Sequence, residues 1–401
     1  MADKQQGFEP HKTGGGSQPS EQFVRRRFTW AAYGLTGYFA YLETVLGPLM
    51  PFLRTEHGFS YTLASLHFSA FALGGVLVGL FGDRVVQCWG RRASLWGGGA
   101  GMAGGAMLLV VSPTILGTVA GAFAMGMLGT LLLITAQAVL ADRHEEWSAV
   151  ALTESNAAAS ASAILASLAV GVFATLGLGW RAALVLPIVV LVLLAAGFHG
   201  EPLGQPYTND LSTDRTPRAL PWRFWAYFGV LFLGVSVEWC VAYWGADFLE
   251  NETGLGRNAA ASALSMFFVG MLLGRVFGSR LARLLPGASL LKVTLCVALA
   301  GFPLFWLSEV PTWGLLGLFV VGLGIGSIYP LAISVGAAAA QGRTDEATAR
   351  FALSGGGAIL LAPFILGTLA DLAGIGEAYV IVVPLLLMAV MLTLLAEHLE
   401  T

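Results

Sequence analysis

Leu73–Arg84 reads LGGVLVGLFGDR, and Val269–Arg280 reads VGMLLGRVFGSR. Adding 196 to each position carries Phe71 to Phe267, Gly74 to Gly270, Leu77 to Leu273, Phe81 to Phe277, Gly82 to Gly278 and Arg84 to Arg280. The same shift carries Leu53 to Leu249, Gly58 to Gly254, Gly121 to Gly317, Phe123 to Phe319, Gly126 to Gly322 and Gly171 to Gly367. One offset that holds over so many positions without a gap makes the chain two copies of one architecture. In a membrane-spanning chain built this way, a cavity lies between the copies.

Composition places the chain in a membrane. It is 56% hydrophobic and 11% charged, with a mean hydropathy of +0.74. Soluble domains carry about 25% charged residues, so a 401-residue soluble chain would lack the charge to cover its surface. A net charge of −3 gives no footprint for nucleic acid. Cys88, Cys240 and Cys296 are far apart and suggest neither a disulfide framework nor a metal cluster. Met1–Gln22 is polar, has no apolar core and reads as a tail rather than a signal peptide.

A helix crosses the hydrocarbon core with about 20 apolar residues, its backbone bonded internally. Twelve stretches fit: 30–53, 63–82, 93–111, 114–140, 153–177 and 181–198, then 222–249, 259–279, 288–307, 312–338, 347–371 and 377–396. The expected fold is therefore an all-α membrane protein of two pseudo-symmetric six-helix bundles. A disordered tail covers 1–27, the bundles 28–199 and 222–401, and a polar linker 200–221. Basic residues set the orientation. Arg54, Arg181 and Arg257 fall in one set of loops and Arg275 inside span 8, whereas every other Lys and Arg of the 21 falls on the opposite side. That side is the cytoplasm, with both termini in it. The run Gly97–Gly105 in span 3 allows close helix contact. Its GxGxxG match follows no strand, so it is not a nucleotide loop.

Six plus six spans resemble the major facilitator superfamily. Closer support comes from Gly79–Arg84 followed by Gly90-Arg91-Arg92, similar to that family's signature between helices 2 and 3. The stretch Val85–Trp89 is longer than the family's gap, and the second copy, Gly278-Ser279-Arg280, lacks the acid. The resemblance implies a gate of Asp83, Arg84, Arg91 and Arg92 that holds the halves together in one state, with Asp83 paired to one of those arginines or to the second half. Without that role, these residues anchor the helix at the membrane interface. Gly322–Leu331 in span 10, and Glu238-Trp239 with Tyr243-Trp244 in span 7, resemble the sugar- and fucose-permease-like members. Ala163–Gly171 in span 5 has no proline, unlike the drug antiporters of the family.

A carboxylate inside a span is costly, which makes it a functional candidate. Glu43 lies near the middle of span 1 and Glu238 near the middle of span 7. The repeat sets position 43 against 239, so the two acids share a depth, on helices that line the cavity in the resembled family. Away from water a carboxyl group favours its neutral form, and both are proton-coupling candidates. Otherwise each is a neutral acid bonded to a neighbouring helix. Arg275 either binds an anionic substrate or serves the structure by snorkelling or pairing near the gate. Gln137, Asn156 and Tyr329 stand where the family lines its cavity, and Trp239 and Tyr243 can stack on a ring. Alternatively, Tyr243 and Trp244 belong to the interfacial aromatic belt. His67 is expected to tune a loop, Glu154 to lie close to cytoplasmic water, and Asp247 and Asp371 to serve as gate or cap.

The reading that follows is a secondary active transporter of the cell inner membrane. It moves a small polar or amphipathic solute by rocking its halves, coupled to protons and acting as a monomer in the bilayer. An exporter, or an organic-anion carrier or uniporter using Arg275, is the alternative. A membrane-embedded enzyme or scaffold is a more distant one. No catalytic constellation, cofactor or metal set is expected, and no nucleic acid.

Overall fold

A computed structural model describes residues 23–204 and 220–398. Most of the expected tail and linker lie outside the described residues. The helices of the first copy are α1 (Arg27–Thr44), α2 (Leu46–His57), α3 (Tyr61–Val111), α4 (Ile115–His144), α5 (Ser148–Thr175) and α6 (Arg181–Phe198). Those of the second are α7 (Trp222–Glu252), α8 (Arg257–Ala263), α9 (Ser265–Leu281), α10 (Gly287–Trp306), α11 (Pro311–Ile325), α12 (Ile328–Ala339), α13 (Thr344–Ala373), α14 (Ile375–Ala378) and α15 (Val382–His398). Among the described residues there is no strand, and nine helical stretches are long and apolar enough to cross a membrane.

The expected loop at 83–92 is helical instead. Spans 2 and 3 form the single element α3, interrupted at Gly90 with φ 79° and ψ 157°. Only glycine enters that backbone region without penalty. Contacts with α4 show that the chain reverses there. Before Gly90, Gly74 approaches Phe123 and Met127 while Gly82 approaches Ile134. After it, Gly98 approaches Leu128 and Leu132 while Gly105 approaches Gly121 and Met125. The first leg runs parallel to α4 and the second antiparallel. A similar break separates α4 from α5, at Glu145 with φ 38°.

The repeat survives as repeated contacts. A Cβ on Gly126 would overlap the Phe71 carbonyl, and one on Gly322 would overlap the Phe267 carbonyl. Gly74 against Phe123 returns as Gly270 against Phe319, and Gly121 against Leu109 as Gly317 against Phe305. Each pair is displaced by the same 196 residues.

Proline sets the remaining breaks. Pro48 has no N–H, so the Thr44 carbonyl loses its helical donor and α1 gives way to α2 at Val45. Pro330 likewise deprives Gly326, and α11 gives way to α12 at Gly326–Ser327.

The two copies meet at one end. One face of the molecule carries Arg25, Arg84, Arg143 and Arg280 and is called the basic face here; the far face carries Arg54, Arg181 and Arg257. Polar contacts between the copies run from the far face to mid-height. Arg54 donates to Asp247 at 2.5 Å, and the Tyr61 and Thr62 amides donate to Asp371 at 2.7 Å each. Ser69 donates to the Leu360 carbonyl at 2.9 Å, and Arg275 to the Ser160 hydroxyl at 2.8 Å. Ion pairs near the basic face, Arg25–Glu154, Arg91–Asp142 and Lys292–Glu397, stay within one copy.

Candidate functional site

The break between α1 and α2 packs on α7, Gly47 against Ala242, and the break between α11 and α12 packs on α9, Gly326 against Met271. Glu43 stands two residues before the break at Val45, half-buried. Glu238 and Trp239, on the middle of α7, are also half-buried. Glu238 lies within electrostatic range of Glu43 on one side and of Arg275 and Tyr329 on the other. The two acids stand on opposite sides of the boundary between the copies, within electrostatic range of each other.

Arg275 has a structural task that explains its place. Its Nε donates to the Gly326 carbonyl at 3.2 Å, the acceptor that Pro330 leaves without a helical donor. Its Nη1 donates to Ser160 in the other copy. No hydrogen bond from Nη2 is found among the described residues. These bonds give Arg275 a structural role by a route other than the snorkelling or gate pairing expected of it. Ser160, which sequence alone did not single out, in turn donates to the Asn156 carbonyl at 3.0 Å.

Tyr329 is 43% exposed at the start of α12, and Asn156 is exposed on α5. Gln137 on α4 is half-buried. Tyr243 differs. It is fully buried, its ring stacked on Phe68 of the other copy and tilted against Trp239 at 4.7 Å. Its hydroxyl has no hydrogen-bond partner. Trp244 is also fully buried and donates from Nε1 to the Pro363 carbonyl at 2.9 Å. Neither residue belongs to an interfacial aromatic belt. Phe68 carries no sequence signal beyond being apolar.

The expected pairing of Asp83 is not made. Asp83 and Arg84 are exposed, and neither has an ion pair among the described residues. Arg91 pairs with Asp142 and donates to the Leu203 carbonyl at 3.2 Å, and Arg92 donates to the Glu201 carbonyl at 3.1 Å. Arg91 is thus engaged by the first copy and the start of the linker, and Arg92 by the start of the linker, rather than by Asp83. His67, expected to tune a loop, is fully buried between legs of the first copy, bonded to Thr118 at 2.9 Å and to the Ala64 carbonyl at 3.0 Å. Glu154 accepts from Arg25 and, at 2.8 Å, from Tyr33 near the basic face. No group of three metal-ligating side chains occurs among the described residues.

A helical bundle of two like copies, sealed at one face around paired acids, has the architecture of a multi-pass membrane transporter. The model of the Major Facilitator Superfamily matches residues 30–345, and the chain belongs to that family. It is 25% identical over 351 residues to an uncharacterized MFS-type transporter of Yersinia pestis, covering 85% of this chain and 88% of that one. A glucose/mannose transporter of Bacillus subtilis is 28% identical over 148 residues, covering 36% of this chain and 35% of that one. Among solved structures, a bacterial homolog of the human lysosomal transporter Spinster, inward-facing and unoccupied, has a TM-score of 0.66 at 16% identity. That match covers 92% of this chain and 96% of the other.

Proposed function

We propose that the chain is a proton-coupled secondary transporter that moves a small polar or amphipathic solute by alternating access. Its nine long apolar stretches contain two chain reversals, and α1–α2 adds a bent leg, which together support twelve crossings. The bundles are 28–199 and 222–401, joined by a linker at 200–221 and preceded by a tail at 1–27. The basic face is cytoplasmic, both termini lie there, and the protein resides in the cell inner membrane as a monomer. The conformation is then closed to the outside and parted toward the cytoplasm.

The observation that carries this reading is the pair of mid-span acids, Glu43 in one copy and Glu238 in the other, within electrostatic range of each other. An acid that sees alternate sides as the copies rock can load a proton on one and release it on the other. Trp239, Tyr243, Gln137, Asn156, Arg275 and Tyr329 supply stacking and hydrogen bonds to the solute. The gate of Asp83, Arg84, Arg91 and Arg92 acts in the opposite state, when the basic face closes. The partial likeness to a glucose/mannose transporter favours a polyhydroxylated solute for the first screen.

The test is proton uptake by reconstituted vesicles, read with an interior pH dye as solutes are added. Substrate-dependent acidification supports the reading; transport without proton movement overturns its coupling. Glu238→Gln should abolish uphill uptake and its pH dependence. An exporter or organic-anion carrier is the second reading, motivated by Arg275 inside a span; it requires that Arg275→Gln abolish transport of anions alone.

A further inference from the structure

The far face is closed asymmetrically. The turn between α2 and α3, from Arg54 to Thr62, is held from two sides by carboxylates of the other copy. Asp371 accepts from the first two amides of α3, Tyr61 and Thr62, and Ser60 accepts from the third, Leu63, at 3.2 Å. Arg54 lies flat on the Tyr61 ring, 3.3 Å from its centroid, and donates to Asp247. Asp247 is only 2% exposed at its side chain.

The repeat supplies the comparison. The matching turn, Glu250 to Asn258, precedes α8. The position matching Asp371 is Thr175, whose hydroxyl bonds its own helix at the Gly171 carbonyl, 2.8 Å away. The position matching Asp247 is Pro51, and the one matching Ser60 is Gly256. Glu250, which matches Arg54, bonds Arg257 inside its own turn at 2.8 Å. The start of α8 has no side-chain cap. What holds this seam is close packing, Gly171 against Asn258 and Ser262, beside a groove of about 520 Å³ lined by Val172, Thr175, Leu176 and Arg257.

Charge-assisted hydrogen bonds are roughly twice as strong as neutral ones, and helix-end amides without a cap lean on water. At the far face, separating α5 from α8 breaks no polar contact of this kind among the described residues; the bond from Arg275 to Ser160 crosses the same seam at mid-height, where α9 continues α8. Separating α3 from α13 breaks two, the amide bonds to Asp371, and separating α2 from α7 breaks a third, from Arg54 to Asp247. We propose that Asp371 and Asp247 form a one-sided clasp, so that the far face opens first along α5–α8 while α3–α13 acts as the retained edge. This rests on the alternating-access reading.

The experiment uses the full chain in lipid nanodiscs without solute. Amide hydrogen exchange should be slower at Tyr61 and Thr62 than at Arg257 and Asn258. Asp371→Asn should speed the first pair roughly tenfold, as expected for loss of bonds to a charged group, and leave the second unchanged. Thr175→Asp installs the missing carboxylate and should slow exchange at Arg257 and Asn258; an unfolded variant cannot produce that gain. Spin labels at Leu176 and Ala259 should report a broader distance distribution than labels at Leu63 and Leu372, and Thr175→Asp should narrow it. Equal exchange at the two turns, equal breadth at the two seams, or no protection from Thr175→Asp overturns the clasp. None of these readouts involves solute or protons, so a protein that clasps but fails to couple protons would refute only the transport reading.

Discussion

Phe68 of α3 and Tyr243 of α7 lie face to face across the two copies, with ring centroids 3.9 Å apart and planes 4° from parallel. Direct overlap is not the arrangement aromatic pairs prefer on their own. Packing imposes it: Trp244 meets the edge of Phe68 at 5.2 Å, Trp239 leans on Tyr243, and both stacked rings are fully buried. On α7 the stack stands about one helical turn beyond Trp239. Its one polar atom, the Tyr243 hydroxyl, has no hydrogen-bond partner among the described residues.

Phe68→Ala and Tyr243→Phe should therefore act in opposite directions. The first opens a cavity in a packed interior and should lower stability by about 3–5 kcal/mol. The second removes a buried hydroxyl that satisfies nothing, a group whose burial costs about 1–3 kcal/mol. Tyr243→Phe should be as stable as the parent or more so in thermal unfolding of the detergent-solubilised chain. If it also binds solute less tightly, the hydroxyl is held for the solute; a loss of stability would mean that it has a partner in the fold.

The glycine mates offer a test of the repeat. Gly126→Ala and Gly322→Ala each place a methyl group on a carbonyl of a neighbouring helix, Phe71 and Phe267 respectively. Backbone cannot step aside as a flexible side chain can, and overpacking of this kind costs about 1–3 kcal/mol. Both variants should lose stability by similar amounts. Gly104→Ala, where the added methyl meets open space, should lose none.

Glycine spacing was what made the fold legible in the sequence. Close approach at Gly74, Gly121 and Gly126 is a demand on residue type, so it leaves the same letters at 270, 317 and 322. The acids were legible for a related reason: a carboxylate at mid-span has few structural excuses. Ser160 and Phe68 were not legible, because a serine or phenylalanine in an apolar helix is ordinary until its cross-copy partner is known. The helical form of 83–89 was not legible, because Val85–Trp89 reads as a loop, whereas Gly90 lets helix persist up to a single reversal. Trp244 reads as a belt residue by distance from the helix end, but α7 runs on to Glu252 and sinks it into the core.

Outside the spans, Arg181 holds the Glu56 carboxyl below its ordinary range by a hydrogen bond and its charge, outweighing partial burial. A carboxyl whose folded value is depressed adds stability that is complete above its unfolded value, about 4.3. That stability is lost as pH falls through the folded value. The pair is well exposed, which keeps the effect small. Glu56→Gln should flatten the acid side of a melting-temperature profile between about pH 5 and 3 and leave pH 7 to 8 unchanged. A change confined to alkaline pH would contradict the assignment.

Arg54 and Asp247 make the sharper case, because their link crosses the copies. Asp247 is almost wholly buried and Arg54 is its ion-pair partner. Removing one member of a buried pair costs about 3–5 kcal/mol when the other stays buried. Here the stranded carboxylate has an escape, since parting the far face would return it to water. The penalty in Arg54→Leu is then capped by the free-energy gap between closed and open states, and it appears as opening rather than unfolding. A cysteine at Asn251, with Cys88, Cys240 and Cys296 replaced by serine, should react faster with a membrane-impermeant thiol reagent in Arg54→Leu than in the parent. Replacing both Arg54 and Asp247 by leucine strands no charge and should return the rate toward that of the parent. If the double variant reacts as fast as the single one, the pair contributes packing at the seam and the buried charge is not what holds it shut.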